Sequence, residues 1–347
     1  MGNPTLRELF AILSIAIIST FTAITPTTNT EYFLNLVDTI QYQPWELVMD
    51  VTWSPDGESL AVSSGNFIRL YSMPDLELVS DFEIGALTHT LAFDPKGEFL
   101  AAGSRDGYLR IWRVSDLSQG DAGASQPILK IEAHRRGVNK VLFNERGNLF
   151  ASGGNDAVAR LWDYRVGKLT RTMIGGTLTV PAIAFRPGEE ILAVSNGNII
   201  RLRDISNEGI VGTFRSENPI YCIQFNTDGN LLAAGDLENQ ILLWDPDEAF
   251  RTGIEDYPEP AVLAGHDGRN NSFESIIWDI DFSPSGKLLV SGGGDGMIFL
   301  WDPEKRQVLY SMQAHKNGVT SLDFDPSGFF LVSGGLDASI KFWKLEN

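Results

Sequence analysis

The sequence predicts an all-β protein, a seven-bladed β-propeller that is closed by an N-terminal strand. Three observations lead to this fold class. One short sequence phrase occurs seven times, the interval between copies suits a four-stranded blade, and an extended segment precedes the first copy. The copies contain no convincing long helical pattern, and the 347 residues, 43% of them apolar, are ample for a large core.

The repeated phrase is an aromatic residue followed by a short turn and by a glycine four positions after the aromatic. The fourth copy departs from this spacing, because its Gly188 comes one residue early. Successive aromatics are 40 to 57 residues apart, which is long for a helical-pair or leucine-rich repeat and suits a propeller blade. The seven motif aromatics are Trp53, Phe93, Phe143, Phe185, Phe225, Phe282 and Phe324.

Each copy reads as a series of short strands. The first turn joins two apolar runs, and a second turn such as Arg105 to Gly107 leads into an alternating strand such as Tyr108 to Trp112. A weaker fourth strand precedes each copy. The extended segment from Tyr32 to Gln41 has no earlier copy to join, so we expect it to complete the last blade and close the ring.

Tryptophan-aspartate pairs at 162–163, 244–245 and 301–302, together with a recurring His, Ser, Asp, Trp order, resemble the WD-repeat (WD40) β-propeller family. The resemblance covers about residues 32 to 347. It implies a buried hydrogen-bonded tetrad in each well-formed copy. The implied tetrads are His134, Ser152, Asp156 and Trp162, then His266, Ser291, Asp295 and Trp301, then His315, Ser333, Asp337 and Trp343.

The other four copies depart from the family pattern. The second keeps Asp106 and Trp112, and the fifth has Glu238 with Trp244. The first and fourth lack both the Asp and the Trp. For these two we expect hairpins that turn on Gly-Asn and that give up the buried polar network.

The chain is expected to consist of a single propeller over residues 31–347, preceded by a signal peptide or membrane anchor plus linker over residues 1–30. Leu9 to Ile18 is an uncharged apolar run, extended weakly to Ile24, with the length of a signal-peptide core. An amphipathic or buried cap helix is the alternative reading. We therefore expect an extracytoplasmic protein, secreted or tethered to a membrane through residues 9–24, with a cytoplasmic location as the alternative.

Charge and cysteine content exclude several classes of protein. A formal charge of −18 repels phosphate backbones, so no nucleic-acid partner is expected. The single cysteine, Cys222, excludes an intramolecular disulfide and any multi-cysteine zinc site. Three of the four histidines belong to the implied tetrads, so neither a metal nor a cofactor is expected.

Three recurrences of Ser, His and Asp also permit a hydrolase interpretation, since a nucleophilic serine needs a base and an orienting carboxylate. A catalytic triad is needed only once, whereas a structural network is expected once per blade. We therefore do not expect an enzyme. The acidic segment 245–260 could recruit a basic partner or calcium, but such a run is more often a solvated loop.

The family resemblance also places the binding face. In propellers of this type the first strand of each blade begins at the rim of the central channel, so residues four and six before the motif aromatic should project at its top entrance. The four-before residues are Met49, His89, Asn139, Pro181, Tyr221, Trp278 and Thr320. The six-before residues are Leu47, Leu87, Gly137, Thr179, Pro219, Ile276 and Gly318.

A surface so poor in charge, on a chain of charge −18, is typical of an interface core. The sequence thus predicts a non-enzymatic scaffold that presents this face to a protein or peptide partner, with a propeller enzyme or small-ligand binder as the alternative. Trp278 and Tyr221 would be the anchors. The alternative is that Trp278 and Met49 only fill the channel mouth or pack under residues 267–275. The predicted contact residues are Trp278, Tyr221, Met49, His89, Leu47, Leu87, Arg105, Asn155 and Ile276.

Overall fold

The computed structural model describes residues 32–117, 126–174, 176, 178–252, 257–267 and 274–347. These residues form seven four-stranded antiparallel sheets. The first strand of each sheet contacts the first strands of the sheets before and after it, so the sheets stand radially around a central channel. The seven-bladed propeller predicted from the sequence is confirmed.

Each blade takes four strands, from the channel outward. Blade 1 consists of β2 (Val48–Trp53), β3 (Ser59–Ser64), β4 (Phe67–Ser72) and β5 (Glu77–Glu83). Blade 2 consists of β6 (Thr88–Phe93), β7 (Phe99–Ser104), β8 (Tyr108–Arg113) and β9 (Leu129–Glu132). Blade 3 consists of β10 (Val138–Phe143), β11 (Phe150–Gly154), β12 (Val158–Asp163) and β13 (Lys168–Ile174). Blade 4 consists of β14 (Ile183–Phe185), β15 (Ile191–Asn196), β16 (Ile199–Asp204) and β17 (Ile210–Arg215). Blade 5 consists of β18 (Ile220–Phe225), β19 (Leu232–Asp236), β20 (Gln240–Trp244) and β21 (Ala261–Ala264). Blade 6 is β22 (Ile277–Phe282), β23 (Leu289–Gly293), β24 (Met297–Asp302) and β25 (Gln307–Gln313).

Blade 7 joins the two ends of the propeller. Its inner three strands are β26 (Val319–Phe324), β27 (Phe330–Gly335) and β28 (Ser339–Glu346), and its outer strand is β1 (Phe33–Gln41). β1 runs antiparallel to β28, with Leu34 opposite Leu345 and Ile40 opposite Ile340. The closing strand predicted from the sequence is therefore present, and it removes the open edge that β28 would otherwise expose.

The hydrophobic core lies between the blades rather than at the channel. One cluster joins blades 1 and 2 and includes Ile68, Leu91 and Trp112, all buried. Neighbouring blades approach so closely that a Cβ atom on Gly103 would lie 2.5 Å from Cγ1 of Val138 in the next blade. A glycine is required at this position because any side chain would push the two sheets apart.

Two short helices lie in the insertions between blade strands, α1 (Val114–Leu117) and α2 (Pro246–Thr252). The expectation of a solvated loop over residues 245–260 is corrected for the part that forms α2. Ala249 of this helix is fully buried in the core shared by blades 4 and 5, and Asp247 forms an ion pair with Arg186 at 2.7 Å. Although the sequence around α2 is acidic, the buried Ala249 packs the helix against the core.

The predicted signal peptide or anchor, including residues 9–24, lies outside the described residues. Among the helices of the described segments, none has both the length and the apolar character that a membrane crossing requires.

The role of β1 is testable with two leucines on the same strand. Leu34 is 3% exposed and packs in the core shared by blades 6 and 7, whereas Leu36 is 52% exposed. We expect Leu34→Ala to destabilise the protein by about 3 kcal/mol, which lowers the thermal midpoint by roughly 6 °C or more. Leu36→Ala is the matched control and should melt like the parent. Equal midpoints for both variants, measured by calorimetry, would show that β1 does not close the ring.

Candidate functional site

The inner strands share a β-bulge near their first residue. In six of the seven, the pairing register shifts across the residue four before the motif aromatic. In blade 1, for example, Val48 pairs with Ser64 and Asp50 with Ser63, which leaves Met49 as the extra residue. A bulge re-aims side chains because it interrupts the strict alternation of a strand. Consequently two successive side chains of an inner strand, such as Met49 and Asp50, face the channel.

The bulge residues enclose a cavity of about 250 Å³ at the entrance of the channel. All seven four-before residues line it: Met49, His89, Asn139, Pro181, Tyr221, Trp278 and Thr320. The rings of Tyr221 and Trp278 meet edge to face, with centroids 5.1 Å apart. We call these seven residues and the space between them the channel mouth.

Of the six-before residues, only Thr179 lines the cavity. The side chains of Leu47, Leu87 and Ile276 are not part of its lining, so the structure does not bring these three predicted contact residues into the mouth. The prediction extended strand alternation to the six-before position, but six of the seven inner strands begin at the residue five before the motif aromatic, so that position lies outside the strand.

The six-before residues contribute through their backbone instead. The carbonyl of Leu87 accepts a hydrogen bond from the N–H of Arg105 at 2.8 Å, and that of Ile276 accepts one from Gly294 at 2.9 Å. Leu47 does the same for Gly65 at 3.0 Å. These bonds tie the start of the inner strands of blades 1, 2 and 6 to the turn between the second and third strands of the same blade.

The two predicted rim residues occupy different places. Asn155 lines the cavity, where its Oδ1 accepts a hydrogen bond from Asn139 at 3.0 Å. Arg105 lies on the exposed rim beside it, and its carbonyl oxygen would be 3.3 Å from a Cβ on Gly137. The turns of blades 2 and 3 are therefore in contact at the top of the propeller.

Charged residues lie at the floor of the mouth, three positions before the motif aromatic. Asp50, Lys140 and Asp279 all line the cavity. Asp50 accepts hydrogen bonds from the backbone N–H of Leu91 at 2.6 Å and from the hydroxyl of Ser321 at 2.7 Å. Since Leu91 belongs to blade 2 and Ser321 to blade 7, one carboxylate joins three blades.

Two further aspartates lie one position before the motif aromatic, deeper in the channel. Asp281 accepts the N–H of Phe324 at 2.8 Å, and Asp323 accepts the N–H of Trp53 at 2.7 Å. In each case the N–H belongs to the inner strand of the following blade. The sequence analysis did not single out these aspartates, although their fixed distance from the motif aromatic would have revealed them.

Burial changes the acidity of this group. It raises the pKa of Asp279 to about 6 even though the Lys140 ammonium opposes the shift. Burial also raises the pKa of Asp281 and Asp323 well above the ordinary value of 3.8. Burial disfavours the Lys140 charge, but Asp50 and Asp279 outweigh it and raise the pKa of Lys140. The lysine is therefore protonated and acts as the counter-charge of the channel carboxylates.

The three implied tetrads are assembled by hydrogen bonds. In blade 3 the hydroxyl of Ser152 lies 2.8 Å from Nε2 of His134 and accepts the Trp162 indole N–H at 2.9 Å. His134 Nδ1 lies 2.7 Å from the Asp156 carboxylate. The corresponding residues of blades 6 and 7 make the same contacts. All three serine residues are 0% exposed, so their hydroxyls are not presented to a substrate.

Arginine supplies a polar network in two of the four blades that lack the tetrad histidine. In blade 2, Arg110 donates to the Ser104 hydroxyl at 2.8 Å and to Asp106 at 2.6 Å. In blade 1, Arg69 is buried, pairs with Glu46 at 3.2 Å and lies 4.6 Å from the ring centroid of Tyr42. The expectation that the first copy gives up its buried polar network is wrong.

The turn chemistry of the degenerate copies is partly as expected. Blades 1 and 4 do turn on Gly-Asn, with Gly65 and Gly197 at positive φ. In blade 5, Glu238 is exposed, and the fully buried Asp236 accepts the backbone N–H groups of the turn instead. Asp236 replaces Glu238 in this role because its short side chain can accept hydrogen bonds from the backbone of the turn that follows it.

Comparison with known proteins follows the same blades. The model of the WD domain, G-beta repeat, matches residues 37–72, 86–113, 125–163, 209–245, 260–302 and 306–344, which is more than half of the chain. The chain belongs to the WD-repeat family. The stretch between 163 and 209, which contains β14, β15 and β16, is the long gap between matched repeats, and it includes the copy that lacks both the Asp and the Trp.

Curated WD-repeat relatives cover part of the chain. A WD repeat-containing protein SL1-17 of Schistosoma mansoni is 29% identical over 59% of this chain. Nuclear distribution protein PAC1 of Arthroderma benhamiae is 29% identical over 50%, and a component of chromatin assembly factor 1 of Mus musculus is 24% identical over 63%. The alignments cover 62%, 37% and 32% of those three proteins.

The buried carboxylates make stability depend on pH. Because the pKa of Asp281 is raised in the folded protein, the folded state binds more protons than the unfolded state between about pH 4 and neutral pH. Its contribution to the free energy of unfolding therefore falls as the pH rises through that range. Asp281→Asn removes this contribution, and Asn can still accept the Phe324 N–H.

We expect the melting temperature of Asp281→Asn, relative to the parent, to rise by about 3 °C or more between pH 5 and pH 8. The exposed Asp228→Asn is the control and should show a constant difference. The melting temperatures are measured by differential scanning calorimetry at both pH values. A difference between parent and Asp281→Asn that is the same at pH 5 and pH 8 would contradict the raised pKa of Asp281.

Proposed function

We propose that this chain is a non-enzymatic protein-interaction scaffold that binds a protein or peptide partner at the channel mouth. One observation carries the proposal: seven separate blades each place their four-before residue at the same cavity, and those residues are uncharged apart from the titratable His89. A cavity built by every blade is held rigidly, since no single loop determines its shape. Rigid aromatic residues at a concave surface are typical anchors of protein interfaces.

The anchors of this surface are Tyr221 and Trp278. Both are half-buried, so part of each ring remains available to a partner. Burial raises the pKa of Tyr221 to about 12, so its hydroxyl stays protonated and can donate a hydrogen bond. Each ring combines a large apolar area with a polar atom, the combination found at interface hot spots.

The buried tetrads support a structural role rather than catalysis. Their serine hydroxyls are enclosed by His and Trp, and burial lowers the pKa of His134 and His315 despite their aspartate partners. The alternative of a small-ligand site rests on the same cavity. At about 250 Å³ it is below the 300 Å³ or so at which drug-sized ligand pockets begin, which favours a side chain inserted by a partner.

The location of the protein is part of the proposal. Relatives named for nuclear distribution and for chromatin assembly favour the cytoplasmic alternative over the export expected from residues 9–24. The membrane tether has no support from the comparisons. Fractionation of cells that produce the full chain distinguishes the two locations, since a cleaved or membrane-bound form would restore the export hypothesis.

The mouth can be tested with variants of its two anchors. Trp278→Ala and Tyr221→Ala should each weaken partner binding by roughly 2 kcal/mol, or about 30-fold, because a large buried contact is lost. Binding is measured as partner retained on the immobilised full chain from extract of the source cells, at a series of protein concentrations.

Phe329→Ala is the matched control, because Phe329 is 64% exposed and lies in the turn between β26 and β27, at the opposite end of the channel. This variant should retain the partner fully. If both mouth variants bind normally but melt earlier, their rings belong to the core and the proposed binding site is refuted.

A further inference from the structure

Three arginines form an exposed basic patch on this strongly acidic chain. Arg105 lies in the turn between β7 and β8, and Arg135 and Arg136 lie in the turn between β9 and β10. The two turns touch, because a Cβ on Gly137 would lie 3.3 Å from the carbonyl oxygen of Arg105. The Asn155 amide, which lines the mouth, donates to the Arg136 carbonyl at 3.0 Å. We call these three residues the arginine rim.

The two turn carboxylates beside the arginine rim, Asp106 and Asp156, are already paired with other cations. Asp106 is bound by Arg110 at 2.6 Å. Asp156 is bound by Arg160 at 2.8 Å and lies 2.7 Å from His134. Among the described residues, no carboxylate forms an ion pair with a side chain of the arginine rim. These three guanidinium groups are thus free to bind an acid from outside.

One further cation, Lys140, lies inside the mouth among carboxylates. Lys140 follows on the inner strand of blade 3 and lines the cavity. Within the described part of the chain, its ammonium makes no direct hydrogen bond. The facing oxygens of Asp50 and Asp279 accept backbone N–H groups of Leu91 and Leu322. Lys140 balances the channel carboxylates, so the positive charge available to an external acid is that of the arginine rim.

We propose that the arginine rim binds an acidic segment, rich in Asp or Glu, of the partner protein. The proposal rests on the proposed function and names the chemistry of its partner. Guanidinium groups bind carboxylates through two parallel hydrogen bonds, which fits a peptide carrying several acids in succession. At physiological salt the Debye length is about 8 Å, so the distant charges behind the net −18 are screened while contacts at the rim are not.

The short range of electrostatic interactions at physiological salt also distinguishes an acidic peptide from a nucleic acid as the ligand of the rim. A long polyphosphate would extend beyond the rim over a surface of net negative charge. A short acidic segment can be confined to the rim, with a neighbouring apolar side chain directed at Tyr221 and Trp278. Repulsion elsewhere on the surface then favours binding at this one place.

The test uses the full chain and fluorescein-labelled hexaglutamate, with fluorescence anisotropy as the readout. We expect saturable binding that weakens as NaCl is raised from about 50 to about 300 mM. Replacing the rim with Arg105→Gln, Arg135→Gln and Arg136→Gln together should weaken binding about tenfold, because three exposed charge contacts are lost.

The matched control removes the same charge from turns at the opposite end of the channel, with Lys96→Gln, Lys287→Gln and Arg306→Gln, all of them exposed. It should bind hexaglutamate within about twofold of the parent. Labelled hexalysine serves as the second control, and its binding should not weaken in the rim variant. Both triple variants should have the same thermal midpoint as the parent.

Absence of saturable hexaglutamate binding, or an equal loss in both triple variants, would overturn the arginine rim as a site for acids. That failure is distinguishable from failure of the scaffold itself. If the rim variant still retains the partner while Trp278→Ala and Tyr221→Ala lose it, the mouth is the interface and the acidic-segment proposal alone is refuted.

Discussion

The inner edge of every blade carries backbone N–H groups that face the channel with no further strand to pair with them. A buried N–H without an acceptor is costly, so the preceding blade must supply one. Asp50, Asp279, Asp281 and Asp323 do so where blade 1 meets blade 2, blade 6 meets blade 7 and blade 7 meets blade 1. The hydroxyl of Thr90 does the same for Val141 at 3.3 Å. This requirement explains why acids are concentrated in the channel and why Lys140 is needed among them.

The mouth follows from the same constraint. The carboxylates must reach sideways to the next blade, and the bulge just before them rotates the preceding residue toward the entrance. Met49 and Trp278 therefore lie beside Asp50 and Asp279 and face the same cavity. The strands build an apolar, aromatic wall directly above a charged floor. A partner that inserts an apolar side chain contacts the wall, while the carboxylates beneath it keep their hydrogen bonds to the neighbouring blades.

The sequence was sufficient for the fold because the motif aromatic and its glycine recur at a fixed spacing, and the family resemblance placed the four-before residues at the channel entrance, where they line the cavity. The prediction failed at the six-before residues, because six of the seven inner strands begin at the residue five before the motif aromatic, so the six-before residue precedes the strand and strand alternation does not set its direction. Leu87 and Ile276 illustrate the failure, because their carbonyls rather than their side chains make the contacts described. The channel aspartates were accessible to sequence reasoning, but their role depends on contacts between blades that a single repeat does not display.

The blades that depart from the family pattern show which part of the tetrad is physically required. Arg110 replaces the missing histidine of blade 2 and still joins a buried serine to the turn aspartate. What must be kept is a cation or imidazole that satisfies both a buried hydroxyl and a carboxylate, and a guanidinium has enough donors to do this from a different strand. The same pairing bears on the surface. Arg110 and Arg160 bind Asp106 and Asp156, and neither carboxylate forms an ion pair with the side chains of Arg105, Arg135 and Arg136. Because blade 3 keeps His134 beside Arg160, the positive rim at the entrance of this acidic propeller depends on the third-strand arginines and not on the loss of a histidine.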